Sequence, residues 1–589
     1  MNKALKSKLI MAASMVAFMI FYMLVFGNKN AAIGTMIIMA AFMNLGNDLS
    51  FKPKLSFIRI LTLLLILGVA SFLNNPLTIW GCILTFVVVF LTTFSSYHLF
   101  GTHVYLPYLM CYFMMVGIPI GPEGLPMRLL SLAFGAIFIV GLNVLINKKK
   151  TYKLSKATLD SLINELKRTI DLKLAGKEVS EESFKTVNGF YLSIFNKFEY
   201  KYFPTNTQKS VLNVVKSFQS IGAIIANYNL KNFELEYIKE FLSSITEIDL
   251  SNIFTAIGVE SKEMYVVLLN LEIIAYEVKN KDLTNVVIIP DRNTIKLLFK
   301  PIIKIQSSFK SVKFTFAFKM ALMLFVWQIL TLIFNLPFTK WLYFITIPLM
   351  LPYVDDLADT AKARVKGTLA GVFIFALIMI FISHIHISYF AFMMIVMIIC
   401  LLVMTLKIED KFIMTVASTI MSVTSALMYI TPPQAIELKV LWVVIGAGVV
   451  SLFNFKFLPY SVQKESEDNL KACYDLNGKF IELIKEKCRG SNADRKTSLL
   501  VVDNLIRENI EITDNNKKIY DLQIRISDIC NFILTYLELY DLSDDLKDNL
   551  ISIIDNNSDV NKNLNVKDNV IAYSMKHVIS LYVQENKLI

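Results

Sequence analysis

Apolar residues are concentrated in two long blocks of the chain, and polar stretches divide each block into about six segments. Most segments approach the ~20 residues that a helix needs to cross the ~30 Å hydrocarbon core of a bilayer. The pattern therefore predicts about twelve membrane-spanning helices, at roughly 9–26, 31–46, 56–73, 76–95, 104–120, 126–147, 313–334, 338–352, 364–383, 388–406, 411–430 and 437–457.

A different pattern follows each apolar block. Residues 151–310 and 461–589 are rich in Lys, Glu, Asn and Asp, and they contain no apolar run long enough to span a membrane. Apolar residues recur there every three or four positions, which is typical of amphipathic helices. The clearest runs are Leu159, Leu162, Ile163, Leu166 and Ile170, and later Ile519, Leu522, Ile526, Ile529, Ile533 and Tyr536.

These patterns predict an all-α integral membrane protein in four parts. Residues 1–150 and 311–460 are expected to form two six-helix transmembrane halves. Residues 151–310 and 461–589 are expected to form helical cytosolic domains, one after each half. Composition agrees, because hydrophobic residues make up 55% of the chain and the mean hydropathy is +0.54. Both values lie above those of ordinary soluble proteins.

The net charge of +11 is explained by where the basic residues fall along the chain. They cluster before the first segment, between the second and third, and after the sixth, at Lys3, Lys6, Lys8, Lys52, Lys54, Arg59, Lys148, Lys149, Lys150 and Lys153. By the positive-inside rule, both termini and both polar domains are expected in the cytosol. We therefore predict a lipid bilayer, and not a nucleic acid, as the partner of these charges.

The two apolar blocks carry a weak internal repeat. Lys8 and Lys313, Arg59 and Arg364, and Gly141 and Gly446 are pairs separated by 305 residues. An even number of spans in each half gives the halves the same orientation, related by an axis near the membrane normal. A substrate path is then expected between the halves.

Residues 355–371 place many charges beside an apolar segment. On a helix, Arg364 shares a face with Gly367, Thr368 and Gly371, and the two glycines form a small-xxx-small pair that lets a neighbouring helix approach. Arg364 is then either an anchor drawn to the cytosolic interface or, with Arg59, a bidentate binder of carboxylates. The sequence leaves both interpretations open.

Other polar and aromatic residues in the apolar segments are weaker candidates. Lys319 and Gln328 lie in one segment, where a polar side chain either reaches the interface or faces protein or substrate. Trp327 and Trp341 are interface residues or rings for an aromatic ligand. His384 and His386 lack a third metal ligand. With no phosphate-binding loop or nucleophile motif, we expect no enzyme activity, no cofactor and no metal.

One run also carries a family resemblance. The stretch WLYFITIPLMLPYVDDLADTAKARVKGTLAGV, residues 341–372, resembles the fusaric acid resistance family and the related aromatic acid exporters. The matching positions are Trp341, Pro348, Pro352, Arg364, Gly367, Thr368 and Gly371. The four-part layout resembles the long members of that family. The first half departs from the motif, because Ile60, Leu61 and Thr62 follow Arg59 with no glycine pair.

The resemblance implies export of small, often aromatic, carboxylates from a bacterial cytoplasm. The chain is more distantly similar to the aluminium-activated malate transporters of plants, which are anion channels. The leading hypothesis is an exporter or permease for small organic anions in the cytoplasmic membrane, driven by an ion gradient or passive. The alternatives are a malate-type channel or a membrane scaffold that moves nothing. In each case the cytosolic domains are candidate surfaces for a second copy or an accessory protein.

Overall fold

The computed structural model describes most of the chain in separate stretches. These are residues 3–45, 49, 53–74, 78–96, 104–147, 150–177, 206–227, 230–243, 262–279, 311–353, 357–382, 389–407, 410–427, 430–459, 462–491, 495–507, 510, 513, 515–540, 543–561, 564 and 566–588. Within these stretches the secondary structure is helical and contains no strand. The chain divides into two compact units, each assembled from two separate parts of the sequence.

The apolar unit consists of Met1–Lys148 and Ile305–Val462. In its described residues it has twelve α-helices, six from each part of the sequence. The first six are α1 (Lys3–Phe26), α2 (Asn28–Asn44), α3 (Pro53–Leu73), α4 (Ile79–Ser96), α5 (Tyr105–Gly117) and α6 (Leu125–Asn147). The second six are α11 (Val312–Phe334), α12 (Lys340–Leu349), α13 (Leu357–Ile382), α14 (Tyr389–Leu406), α15 (Lys411–Ala426) and α16 (Pro432–Lys456).

Six of these helices are long and apolar enough to cross a membrane, by length and composition, among the residues described: α3, α4, α6 with its preceding turn, α11, α13 and α16. Shorter apolar helices occur at Val16–Phe26, Tyr105–Gly117 and Lys411–Ala426. Helix α12 has 10 residues, about half of what a span requires. The prediction of an all-α, multi-pass membrane protein is confirmed, whereas twelve full spans remain a prediction.

The helices of the second part have identifiable ends. Helix α15 begins after Asp410, whose Oδ1 accepts hydrogen bonds from the backbone N–H groups of Phe412 and Ile413 at 3.0 and 3.1 Å. Helix α16 starts with proline after Thr431, which forms a capping box with Gln434. These caps satisfy N–H groups that lack partners within the helix. The caps therefore define the first residues of α15 and α16, the two helices that pack against α13.

Helices α4 and α11 pack along an aromatic ladder. Phenylalanines of α4 meet phenylalanines of α11 edge to face, with ring centroids 5.5 to 6.4 Å apart, in the pairs Phe86–Phe318, Phe86–Phe325, Phe90–Phe314 and Phe94–Phe314. Edge-to-face pairs at this separation are favourable beyond the area that they bury. This contact between the two parts of the sequence is therefore filled by apolar side chains.

A buried polar network lies elsewhere between the same two parts. Asn74 donates to the Thr85 hydroxyl at 2.9 Å and to the Tyr112 hydroxyl at 2.8 Å, and it accepts from Gln328 at 3.1 Å. Buried polar groups need such partners, since an unmade hydrogen bond is costly in an apolar interior. The network joins α11 to residues of the first half.

The polar unit consists of Lys149–Lys304 and Gln463–Ile589. Its described helices are α7 (Lys150–Leu174), α8 (Asn206–Asn227), α9 (Asn232–Phe241), α10 (Lys262–Lys279), α17 (Val462–Cys488), α18 (Lys496–Arg507), α19 (Lys517–Leu539), α20 (Asp544–Asn556) and α21 (Val566–Asn586). Leu269 and Ile273 of α10 belong to the same apolar core as residues of α17–α21. The two polar regions of the sequence therefore share one core.

Candidate functional site

Helix α13 packs very closely against α15 through two glycines. A Cβ atom added at Gly367 would lie 2.7 Å from Thr415 Cβ and 2.9 Å from the carbonyl oxygen of Phe412. At Gly371 it would lie 2.9 Å from both Thr419 Cβ and the carbonyl oxygen of Val416. Such contacts leave no room for a side chain, so the glycines set the distance between the helices.

Replacing Gly367 with Ala is expected to destabilise the apolar unit by about 1 to 3 kcal/mol, the usual cost of overpacking a close contact. The matched control is Gly448→Ala on α16, where an added Cβ meets nothing within 4 Å. Thermal unfolding of both purified variants in detergent measures the difference. A Gly367→Ala variant as stable as Gly448→Ala would show that the helices can separate at no cost.

A cationic and aromatic cluster lies near this close contact. Lys439 of α16 is only 6% exposed, and its Nζ sits 5.2 Å from the centre of the Trp341 ring. Arg364 is partly buried on α13, and α13 packs against α16. An ammonium group at this distance from an indole is attracted by the negative face of the ring. We call Arg364, Lys439 and Trp341 the cationic cluster.

The cationic cluster contains no matching negative charge. Among the residues that the structure describes, the ion pairs of the apolar unit involve neither Arg364 nor Lys439. By contrast, the fully buried Arg128 of α6 donates to Asn30 at 3.3 Å and to the carbonyl oxygens of Met115 and Ile118 at 3.2 and 2.9 Å. Arg128 therefore has a structural role, whereas no carboxylate in the part of the chain that the structure describes pairs with Arg364 or Lys439.

Arg59 lies in a different setting from Arg364. It is exposed on α3, and its Nη2 donates to the carbonyl oxygen of Ser95, near the end of α4, at 3.5 Å. A cation at a helix C-terminus is favoured by the helix dipole. No contact recorded among the described residues joins Arg59 with Arg364, so an anion site shared by the two stays a prediction.

The remaining candidates are buried and occupied by protein partners. Lys319 Nζ lies 3.5 Å from the carbonyl oxygen of Leu458, and Gln328 donates to Asn74 at 3.1 Å. Trp327 Nε1 donates to Thr346 at 2.9 Å, and the Thr368 hydroxyl accepts from Thr419 at 3.4 Å. Contact of these four with a substrate stays a prediction.

The motif prolines lie at the end of a short helix. Pro348 is inside α12, which ends at Leu349, and Pro352 follows in the connection to α13. Proline lacks an N–H donor and cannot continue a regular helix, which accounts for the short length of α12. The neighbouring acids Asp355 and Asp356 lie outside the described residues, and so do His384 and His386.

Sequence reasoning missed Lys439 as a candidate. Lys439 is the third residue of the apolar run 437–457, so the sequence predicts that its charge lies at the end of a span. In the structure α16 already begins at Pro432, which places Lys439 two turns inside the helix. The helix-starting signal of Thr431 followed by two prolines could have located it, because proline favours the first turn.

The comparison with protein families gave one match, to the model described as fusaric acid resistance protein-like, over residues 322–453. The comparisons with curated proteins and with solved structures gave no match. The matched segment contains all three members of the cationic cluster and both motif glycines. This family is one of membrane transporters and not of enzymes. Residues 322–453 of this membrane protein are therefore similar to the fusaric acid resistance proteins.

Proposed function

We propose that this protein is an exporter or permease for small organic anions. The observation that carries the proposal is the cationic cluster, in which Lys439 is buried and neither it nor Arg364 is paired with a carboxylate among the described residues. A charge inside a membrane protein is costly unless it is paired or hydrated. A passing carboxylate would supply the missing charge, and the family match supports a transport role.

Aromatic or amphipathic carboxylates are the proposed substrates. Trp341 is 3% exposed and lies beside the Lys439 ammonium, so an apolar ring surface and a cation occur together. A carboxylate bound to Lys439 would place its apolar part against aromatic side chains, which offer area and favourable ring geometry. Flux is driven by an ion gradient or runs downhill.

The proposed architecture is two six-helix halves in the same orientation, with both termini and the polar unit in the cytosol of a bacterium. It is supported by matching helix pairs. Five helix contacts of the first half have a counterpart in the second half. They are α1–α2 with α11–α12, α2–α6 with α12–α16, α3–α5 with α13–α15, α3–α6 with α13–α16, and α4–α5 with α14–α15. Across the halves, α4–α11 corresponds to α14–α1. Two structural repeats that are related by a rotation axis would form matching contacts of this kind.

A second candidate is a scaffold that moves no solute. It is favoured by the phenylalanine ladder between α4 and α11, because a path between the halves would need a polar or open seam there. The shared core of the polar unit would then serve to recruit a second copy or an accessory protein. A malate-type anion channel is a third alternative. Like the exporter it needs the cationic cluster, but it needs no driving ion.

Uptake of labelled aromatic and aliphatic carboxylates into inside-out vesicles tests the proposal, with and without an imposed pH gradient. Accumulation that depends on the gradient would establish a coupled exporter, and downhill movement alone would indicate a channel. If no carboxylate moves although the protein is inserted, the transport proposal is wrong and the scaffold is favoured. Empty vesicles from the same membrane provide the baseline.

A further inference from the structure

One face of helix α16 is buried along most of its length and carries a polar residue near each end. Its members are spaced three or four residues apart, as on one side of a helix, and all are buried: Lys439, Val443, Ala447, Val450 and Asn454. Lys439 and Asn454 are separated by about 22 Å along the axis at 1.5 Å per residue. The contacts recorded for this face are with α12, because Lys439 lies over Trp341 and a Cβ atom added at Gly446 would lie 3.3 Å from Ile345. Lys439 and Asn454 therefore lie on the side of α16 that packs against α12.

Asn454 is the unusual member of this line. Its side chain is 1% exposed, and both its amide nitrogen and its carbonyl oxygen lack a hydrogen-bond partner. A buried amide that forms no hydrogen bond loses its interactions with water and gains none in return. Buried polar groups in folded proteins are nearly always paired, so this amide points to a group that binds there.

The matching helix of the first half has no such group. Its buried Asn143 donates to the carbonyl oxygen of Asn44 at 2.7 Å and accepts from the backbone N–H of Leu49 at 3.0 Å. Asn147 donates to Asn143 at 3.1 Å and to the carbonyl oxygen of Leu45 at 3.4 Å. The buried cation of α6, Arg128, has three oxygen partners.

We infer that the anion path runs inside the second half, at the buried face of α16 that packs against α12, and that Asn454 is a binding station on it. The inference rests on the proposed transport function and departs from a path between the halves. An amide N–H group of Asn454 donates to the carboxylate, which then meets Arg364 and Lys439. The first half supports this bundle and carries no equivalent path.

Thiol labelling tests the path without relying on flux. Asn454→Cys and Asn147→Cys are made in the full chain and treated in membranes with an anionic methanethiosulfonate reagent. The native cysteines are all buried, and the unmutated chain gives the background. We expect Asn454→Cys to react at least about tenfold faster than Asn147→Cys, because water and anions reach only the former. An unreactive Asn454→Cys, or equal rates at both sites, would overturn the inference.

Measurements of carboxylate uptake then distinguish the inference about Asn454 from the proposed transport function on which it rests. Asn454→Leu is expected to lower carboxylate uptake by about 10-fold or more, the loss of one hydrogen bond to a charged group, while melting temperature is kept or raised. Asn147→Leu is expected to lower melting temperature and leave uptake per folded protein unchanged. Full uptake by Asn454→Leu would contradict the inference alone, whereas no uptake by the unmutated protein would contradict the transport function.

Discussion

Replacing Lys439 or Arg364 with Gln is expected to reduce carboxylate uptake about 10- to 100-fold. Each substitution removes a charge that would bind the carboxylate, and a hydrogen bond to a charged group contributes roughly 1.5 to 3 kcal/mol. Gln keeps a donor and much of the side-chain volume, so the fold should persist. Uptake into inside-out vesicles, normalised to inserted protein, measures the effect.

Exposed lysines on the same two helices provide matched controls. Lys366 lies two residues from Arg364 on α13, and Lys456 ends α16, and both side chains are exposed. Lys366→Gln and Lys456→Gln are expected to keep nearly full uptake. If Lys439→Gln and Arg364→Gln insert normally and transport as well as these controls, the cationic cluster is not part of the path. Failure to insert would instead make Arg364 a membrane anchor.

Replacing Lys216 with Met is expected to destabilise the polar unit by about 3 to 5 kcal/mol. Lys216 of α8 and Asp528 of α19 form an ion pair of 2.7 Å, with side chains only 5% and 8% exposed. Removing one partner leaves the other as an uncompensated buried charge, which is the costly outcome for such pairs. For a unit of this size the melting temperature should fall by roughly 10 °C.

Removing both charges should restore most of the lost stability. The double variant Lys216→Met with Asp528→Leu replaces the pair by apolar groups, which is often neutral for a buried pair. The exposed pair Lys239–Asp171, with side chains 42% and 53% exposed, provides the control. Lys239→Met should cost no more than about 1 kcal/mol. If Lys216→Met melts like Lys239→Met, the ion pair does not hold α8 to α19.

Much of the fold could be predicted because its signals are local. Long apolar runs give membrane helices whatever their neighbours, since the bilayer requires every backbone group to be bonded within the segment. The close helix contact at Gly367 and Gly371 was predictable for the same reason, because residues four apart share a helix face. The exact length of α12 was harder to predict, because the apolar run 338–352 continues past the proline that ends the helix.

The candidate site was only partly predictable. Arg364, Trp341 and the glycines stand in a recognisable motif of about thirty residues, and the family match over residues 322–453 confirms that resemblance. Lys439 lies 75 residues from Arg364 in the sequence, and no spacing rule connects them. The repeat pairs Arg59 with Arg364, and the recorded hydrogen bond of Arg59 is to the end of α4, so a site shared by the two stays a prediction.

By itself the sequence determined the helical class, the membrane location and the family resemblance of residues 322–453, because periodicity, hydropathy and a short motif are properties of neighbouring residues. Only the tertiary structure decided which charges are satisfied. It gives Arg128 three oxygen partners and leaves Asn454 with none. The physical reason is that the partners of a buried polar group come from distant helices, so its free energy is set by packing and not by its place in the sequence.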